Sequence, residues 1–229
     1  MAATKLPQLP VPLADLTGYI AKHPDKPAAE LIEPYRKHEA QLRQMYAQEP
    51  DHEALKDPYA NVLPLFTGAT PGIKIQARNL EAESEEQKAK YIMPLPDHVR
   101  RAHGSPATVQ SLKEFQRNFT IFSESSLVDL DWNNVVAAGS SVVNCLMPVP
   151  KEYDASKRTL REFYHEKFCP ASDVDLFLYG LTEEEAVKKI GDIEARIRDS
   201  LLTETTVVRT KHAVTICKVF TFHCPSLEC

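Results

Sequence analysis

The run Asn134-Val135-Val136-Ala137-Ala138-Gly139-Ser140-Ser141, followed later by Ser172-Asp173-Val174-Asp175-Leu176-Phe177-Leu178-Tyr179-Gly180, decides the reading of this chain. In a β-strand, residues i and i+2 share a face, so Asp173 and Asp175 point to one side while Val174, Leu176 and Leu178 fill the other. Two carboxylates then stand about 7 Å apart on a stiff support. Like charges that close repel unless water, a cation or a basic partner offsets them. Mg²⁺ suits the position, being a hard cation commonly held by one or two carboxylates plus substrate phosphates. The earlier run supplies the complement. Val135-Val136 opens a buried strand, Gly139 permits a tight turn, and Ser140 and Ser141 can cap a helix over 142–147 that Pro148 stops. Such a turn offers backbone N–H groups, hydroxyls and the positive end of a helix to a phosphate. Taken alone, Asp-x-Asp also describes a solvated strand start, and Gly139 a plain turn glycine.

Working outward, Thr182 and Glu185 form a capping box, and Ala186, Ile190, Ile193, Ile197 and Leu201 continue the helical spacing. Residues 205–210 and 213–217, rich in Val, Thr and Ile, read as two short strands or one bent one. On the N-terminal side, Ser105 and Pro106 read as the N-cap and first residue of a helix carrying Val109, Leu112, Phe115, Phe119 and Phe122. A further helix is predicted over 155–167, with Leu160, Phe163, Tyr164 and Phe168 as its apolar positions. The spacing also predicts a short helix over 14–22 and a longer one from Pro34, its stripe made by Tyr35, Leu42, Met45 and Tyr46. Residues 49–76 read as a surface connection and 79–90 as a charged, solvated helix. Pro94, Pro96 and Gly104-Ser105-Pro106 mark a boundary. The expectation is therefore a helical and proline-rich extension over 1–104 and a core over 105–229. The core belongs to the α/β (α+β) class, with a small mixed sheet flanked by helices.

Composition excludes several classes. A formal charge of -5 and a pI near 5.9 give no general attraction to nucleic acid or anionic membranes. The local basic clusters, Arg209-Lys211-His212 and Lys157-Arg158-Arg161, read as solvated faces, so no clear nucleic-acid patch is present. Five cysteines are an odd set, with Cys217, Cys224 and Cys229 gathered late, and they make no disulfide framework. Their spacing with His212 and His223 matches no familiar zinc site. No leader-type start and no run of about 18 apolar residues is found, which places the protein inside the cell, cytoplasmic or nuclear, with no membrane partner. There is no Gly-x-x-x-x-Gly-Lys loop and no Gly-x-Ser-x-Gly elbow, and His165-Glu166 lacks a second His four positions after the first.

Ala138-Gly139-Ser140 followed by Asp173-Val174-Asp175-Leu176 resembles the signature of the polymerase-beta-type nucleotidyltransferase superfamily. That signature is an apolar residue and Gly, then Gly or Ser, and later Asp-x-Asp on a strand. The resemblance implies that Asp173 and Asp175 are catalytic and hold Mg²⁺ in a two-metal site, and that Gly139, Ser140 and Ser141 hold a nucleoside triphosphate. It further implies transfer of a nucleotidyl group to an acceptor hydroxyl with release of pyrophosphate. The acceptor is left open among an RNA end, a protein and a small molecule. A wider resemblance runs over 34–216 and is carried by 126–139, Arg161-Glu162-Phe163-Tyr164-His165, 172–180 and 209–216. These phrases are similar to a group of fungal proteins that are uncharacterised or described as ankyrin-repeat proteins, although no ankyrin repeat occurs in this sequence. The superfamily carries a third carboxylate on a later strand, whereas the sole acid after Ile216 here is Glu228. The core thus reads as truncated at its C-terminal end, with little or no transfer expected. The alternative implied is a catalytically inactive module that binds a nucleotide or a protein.

Overall fold

The computed structural model describes residues 6–57, 59–66, 76–89, 101–201 and 203–218. The chain divides into two units, Met1–Lys74 and Ile75–Cys229. In the first, helix α1 (Leu16–Ala21) precedes the long helix α2 (Ala28–Gln48). Alanine at 28 and 29, the strongest helix former, starts α2 earlier than Pro34 would. Pro34 lies inside the helix, where its ring removes one backbone donor. Leu31, Tyr35, Leu42 and Met45 form the buried stripe, and the Tyr35 hydroxyl donates to the Val11 carbonyl at 2.9 Å. Tyr46, expected on that stripe, is 71% exposed, because one further position turns the side chain about 100° round the helix.

The second unit carries the elements of interest. Gln76 bridges Pro106, and the Ala77 N–H donates to the Ser105 carbonyl, so Ser105-Pro106 is extended backbone rather than a helix cap. Helix α4 runs Leu112–Phe122 instead, and the Ser111 side chain caps it by accepting from the Glu114 N–H. Ser111 with Glu114 three residues on is the stronger N-terminal signal, whereas Ser-Pro also starts turns. Within the charged run, helix α3 spans Glu85–Ala89, and the expected boundary residues Pro94 and Pro96 lie outside the described residues.

Strand β1 (Val135–Ala138) leads through Gly139 into helix α5 (Ser140–Leu146). Helix α6 (Lys157–Glu162), with a Ser156–Thr159 capping box, runs on as a π-helical turn over Phe163–Phe168. Strand β2 (Asp175–Leu178), helix α7 (Glu183–Leu201) and the hairpin of β3 (Thr205–Arg209) and β4 (Val214–Lys218) follow. The Thr182–Glu185 box is formed in both directions. The expected single mixed sheet is corrected to two antiparallel ladders among the described residues, β1 with β2 and β3 with β4. The β3–β4 pair closes locally over a short turn at little loop entropy, while α7 separates it from β2 in sequence. The mixture of helices with antiparallel strands is an α+β arrangement. Among the described residues no helix is long and apolar enough to cross a membrane.

Two apolar clusters hold this unit. Phe122, Cys145, Leu160 and Tyr164 make one, and Leu127, Leu130, Val135 and Ile193 the other, with Leu176, Leu178, Ile197 and Ile216 packed against it. Burial pushes the Cys145 thiol up to about 12, so it serves as a small apolar filler rather than a reactive group.

Helix α4 ends with Glu124 and Ser125 at φ 52° and 62°. Ser125 N–H donates to the Thr120 carbonyl and Glu124 N–H to that of Ile121, which is the Schellman arrangement with glutamate where glycine is usual. The side chain supplies the reason. Its carboxylate takes Arg161 of α6 and, at 3.2 Å, Lys218 of β4, joining three elements. Burial alone would raise the Glu124 pKa, but the hydrogen bonds and charges of Lys218 and Arg161 outweigh it and hold the group below its ordinary 4.5. A depressed carboxylate contributes stability that is present above that ordinary value and is lost as pH falls below it. Glu124→Gln is therefore expected to cost about 1 kcal/mol at neutral pH after solvent screening. It should also remove part of the acid slope below pH 4.5. Urea melts of both proteins between neutral pH and pH 3 check this; parallel stability curves would refute it.

Candidate functional site

The β1–β2 register sets Ala138 opposite Asp175 and Val136 opposite Phe177. Directly opposed residues share a face, so Asp175 and Phe177 lie on the exposed side with Val136, while Val135 and Leu178 turn to the core. From Ser172 to Leu178 exposure alternates: Asp173, Asp175 and Phe177 are exposed, and Val174, Leu176 and Leu178 are partly buried. Asp173 precedes the ladder itself but keeps its alternation. Ala138 opposite Asp175 leaves the carboxylate room on the shared face.

Gly139 adopts φ 81° and ψ -153°, a region essentially reserved for glycine. A Cβ placed there would stand 2.8 Å from Oδ2 of Asp175, closer than real Cβ atoms come to their neighbours. Backbone angle and free space therefore each demand glycine, and the second demand comes from the carboxylate.

The segment leading to Asp173 is tied to α5. The Ser140 and Ser172 hydroxyls share a hydrogen bond at 3.0 Å, and the Asn144 amide donates to the Ser172 hydroxyl at 3.4 Å. Ser140 and Asn144 sit four apart on one helical face, so both reach the same hydroxyl. Ser172 and Asn144 are positioning residues absent from the set expected from sequence. No local pattern in the sequence signals them, because the contact joins residues 28 and 32 positions apart. Gly139 and Ser140 are exposed, whereas Ser141 is fully buried and its hydroxyl points to the Ala138 carbonyl at 3.5 Å. The structure thus brings Gly139, Ser140 and Asp175 together and leaves Ser141 inside.

At the far end of the ladder Asn134, at φ 62°, donates its side-chain amide to the Tyr179 carbonyl at 3.1 Å, and Tyr179 N–H donates to the Asn134 carbonyl. Lys189 of α7 reaches the carboxylate and carbonyl of Asp131, and its hydrogen bond draws the Asp131 pKa down.

Asp173 and Asp175 border a cleft of about 820 Å³, which Arg209, Lys211 and His212 also line. The two carboxylates are hard oxygen donors at its edge, a chemistry that suits Mg²⁺. Among the described residues no cluster of three His, Cys, Asp or Glu is found. No protein-family model matches the chain, no curated protein matches it, and no solved structure matches it.

The Gly139 geometry carries a direct prediction. Gly139→Ala is expected to cost about 1–3 kcal/mol in strain and to displace the Asp175 carboxylate. Denaturant unfolding and the side-chain carboxyl shift of Asp175 by NMR check it. An unchanged midpoint with an unmoved resonance would show that the turn relaxes freely.

Proposed function

We propose that residues Gly139, Ser140, Asp173 and Asp175 bind a nucleoside triphosphate with Mg²⁺, as in a nucleotidyltransferase-like domain. The observation that carries this reading is the contact between the Gly139 backbone and Asp175, because it sets an open turn and a carboxylate pair on one exposed surface. Asp173 and Asp175 would hold the cation, and Gly139 with the Ser140 hydroxyl would border the phosphates. Mg²⁺, when bound, supplies neutralisation of charge on the phosphate oxygens. Ser172 and Asn144 orient Ser140 from behind. Helix α5 has only two turns, so its dipole is a minor aid beside the carboxylate pair. The transfer implied forms a bond between an acceptor hydroxyl oxygen and the α-phosphorus, breaks the bond to pyrophosphate, and releases the hydroxyl proton. The acceptor is an RNA end, a protein or a small molecule.

A second reading, a binding module without turnover, is favoured by a specific feature. The carboxylate set at the turn is Asp173 and Asp175, and no acid occurs from Thr205 to Leu227 to enlarge it. Calorimetric titration with Mg²⁺ and ATP or GTP tests binding, and pyrophosphate release tests turnover. Binding is expected to require Mg²⁺ and to weaken roughly tenfold or more in Asp175→Asn, the scale seen when metal-ligand environments are disturbed. Metal-independent binding that ignores this substitution would remove the site from consideration. Binding without pyrophosphate release selects the second reading.

A further inference from the structure

Beyond the carboxylates, the same cleft has a feature that the nucleotide reading does not use. Every residue from Ser172 to Leu178 lines it. A strand that borders a cavity by its face contributes alternate residues; one that borders it by its edge contributes all of them. On the opposite wall the hairpin contributes Val214, Thr215, Ile216 and Lys218 of β4 but only Arg209 of β3, so β4 is the nearer strand.

The hydrogen-bond phase of each ladder identifies the backbone groups that face outward. Tyr179 N–H donates to Asn134, which makes Tyr179, Phe177 and Asp175 the residues bonded to β1. The N–H and C=O groups of Leu176 and Leu178 therefore point away from β1. In the hairpin, Thr210 N–H donates to Ala213, so Val208 pairs with Thr215 through hydrogen bonds, and the backbone groups of Val214 and Ile216 point away from β3. Among the described residues, none of these outward groups has a hydrogen-bond partner. Two free strand edges thus border one cleft, over a floor that includes Leu127, Ile193 and Ile197. An added strand satisfies such edges through its own backbone, in place of water. The cleft is lined by charges of both signs, Asp173 and Asp175 on the β2 side and Arg209 and Lys211 at the hairpin turn, and among the described residues no ion pair involves Arg209 or Lys211.

We infer that the cleft between β2 and β4 takes up an extended segment of a partner protein. The segment pairs through its backbone with Leu176 and Leu178 on one side and with Val214 and Ile216 on the other. It alternates apolar and polar side chains, apolar ones facing Ile193 and Ile197, and carries a carboxylate toward Arg209 and Lys211. This inference does not depend on nucleotide binding.

The test uses the full chain and a capped synthetic hexapeptide, Val-Thr-Val-Thr-Val-Glu. Binding is followed by calorimetry and by amide NMR shifts at Leu176, Leu178, Val214 and Ile216. N-methylation of the valine amides removes the donors of one peptide edge, and N-methylation of the threonine amides those of the other. Each change is expected to weaken binding roughly tenfold or more, since each removes several net-favourable hydrogen bonds. The doubly reversed pair, Lys211→Glu with lysine replacing the peptide glutamate, should recover the affinity that Lys211→Glu alone loses. Sensitivity to one methylated set only would mean addition to a single edge and would overturn insertion between the strands. No binding, or equal binding of all peptides, would overturn strand docking altogether. A dimer in sedimentation that excludes the peptide would make a second copy the occupant and overturn a separate partner.

Discussion

The approach of the Asp175 carboxylate to the backbone at Gly139 is the constraint on which the candidate site rests. A side chain at 139 would collide with that carboxylate, and the backbone angles there suit glycine alone. The same contact fixes the ladder, because Ala138 can face Asp175 in only one register. A slip of one residue would turn Asp175 and Phe177 inward and expose Leu176 and Leu178, exchanging apolar burial for a buried charge. Once the register is set, the chain before Asp175 must pass α5, and the Ser140–Ser172 bond follows from that proximity.

A two-stranded ladder is marginal by itself, so the supports behind it matter. Val135, Leu176 and Leu178 supply the apolar side, and Ile193 with Ile197 of α7 receive it. Burying a side chain of this size contributes about 1.5–3 kcal/mol, against about 0–1 kcal/mol for an exposed ion pair. Packing on α7 therefore holds the ladder, and the Lys189–Asp131 pair orients the helix more than it stabilises it. Glu124 differs from such surface pairs. It occupies a left-handed cap position at a conformational cost, and it gathers Arg161 and Lys218 from two other elements around one carboxylate.

The parts legible in the sequence were those with a local physical cause. Alternation from Ser172 to Leu178 follows from strand period alone, and the Thr182–Glu185 box with its Ile spacing follows from helix period and capping. Gly139 was legible as a turn glycine, but the contact that requires it is made by a residue far along the chain. For the same reason Ser172 and Asn144 were silent: a hydroxyl and an amide carry no periodic signal, and their meaning comes from a tertiary meeting. Ser105-Pro106 misled because a dipeptide that suits a helix start suits an extended turn equally, and pairing with Gln76 decided between them. Ser141 was placed at the turn by its sequence neighbours, yet one residue along a helix turns a side chain about 100°, enough to bury it. The pairing of the strands into two ladders was beyond sequence, because it depends on where α7 delivers the hairpin.

Helix α7 is common to both ladders: Ile193 and Ile197 share a cluster with Leu176 and Leu178 of β2 and with Ile216 of β4. Apolar packing is strong but non-directional, so it brings the two ladders to one helix without pairing them. Pairing needs the backbone edges to meet at strand spacing, and among the described residues the edges of β2 and β4 border one cleft without pairing. Free edges of this kind invite other strands, and proteins commonly guard them with short length and charge. Here the ladders are four and five residues long, with Arg209 and Lys211 at the hairpin end of the cleft and Asp173 and Asp175 along β2. Arg209 and Lys211 favour a strand that brings an acid to the hairpin end, while Asp173 and Asp175 disfavour one that brings acids along β2, so the residues that protect the edges also select what can add to them.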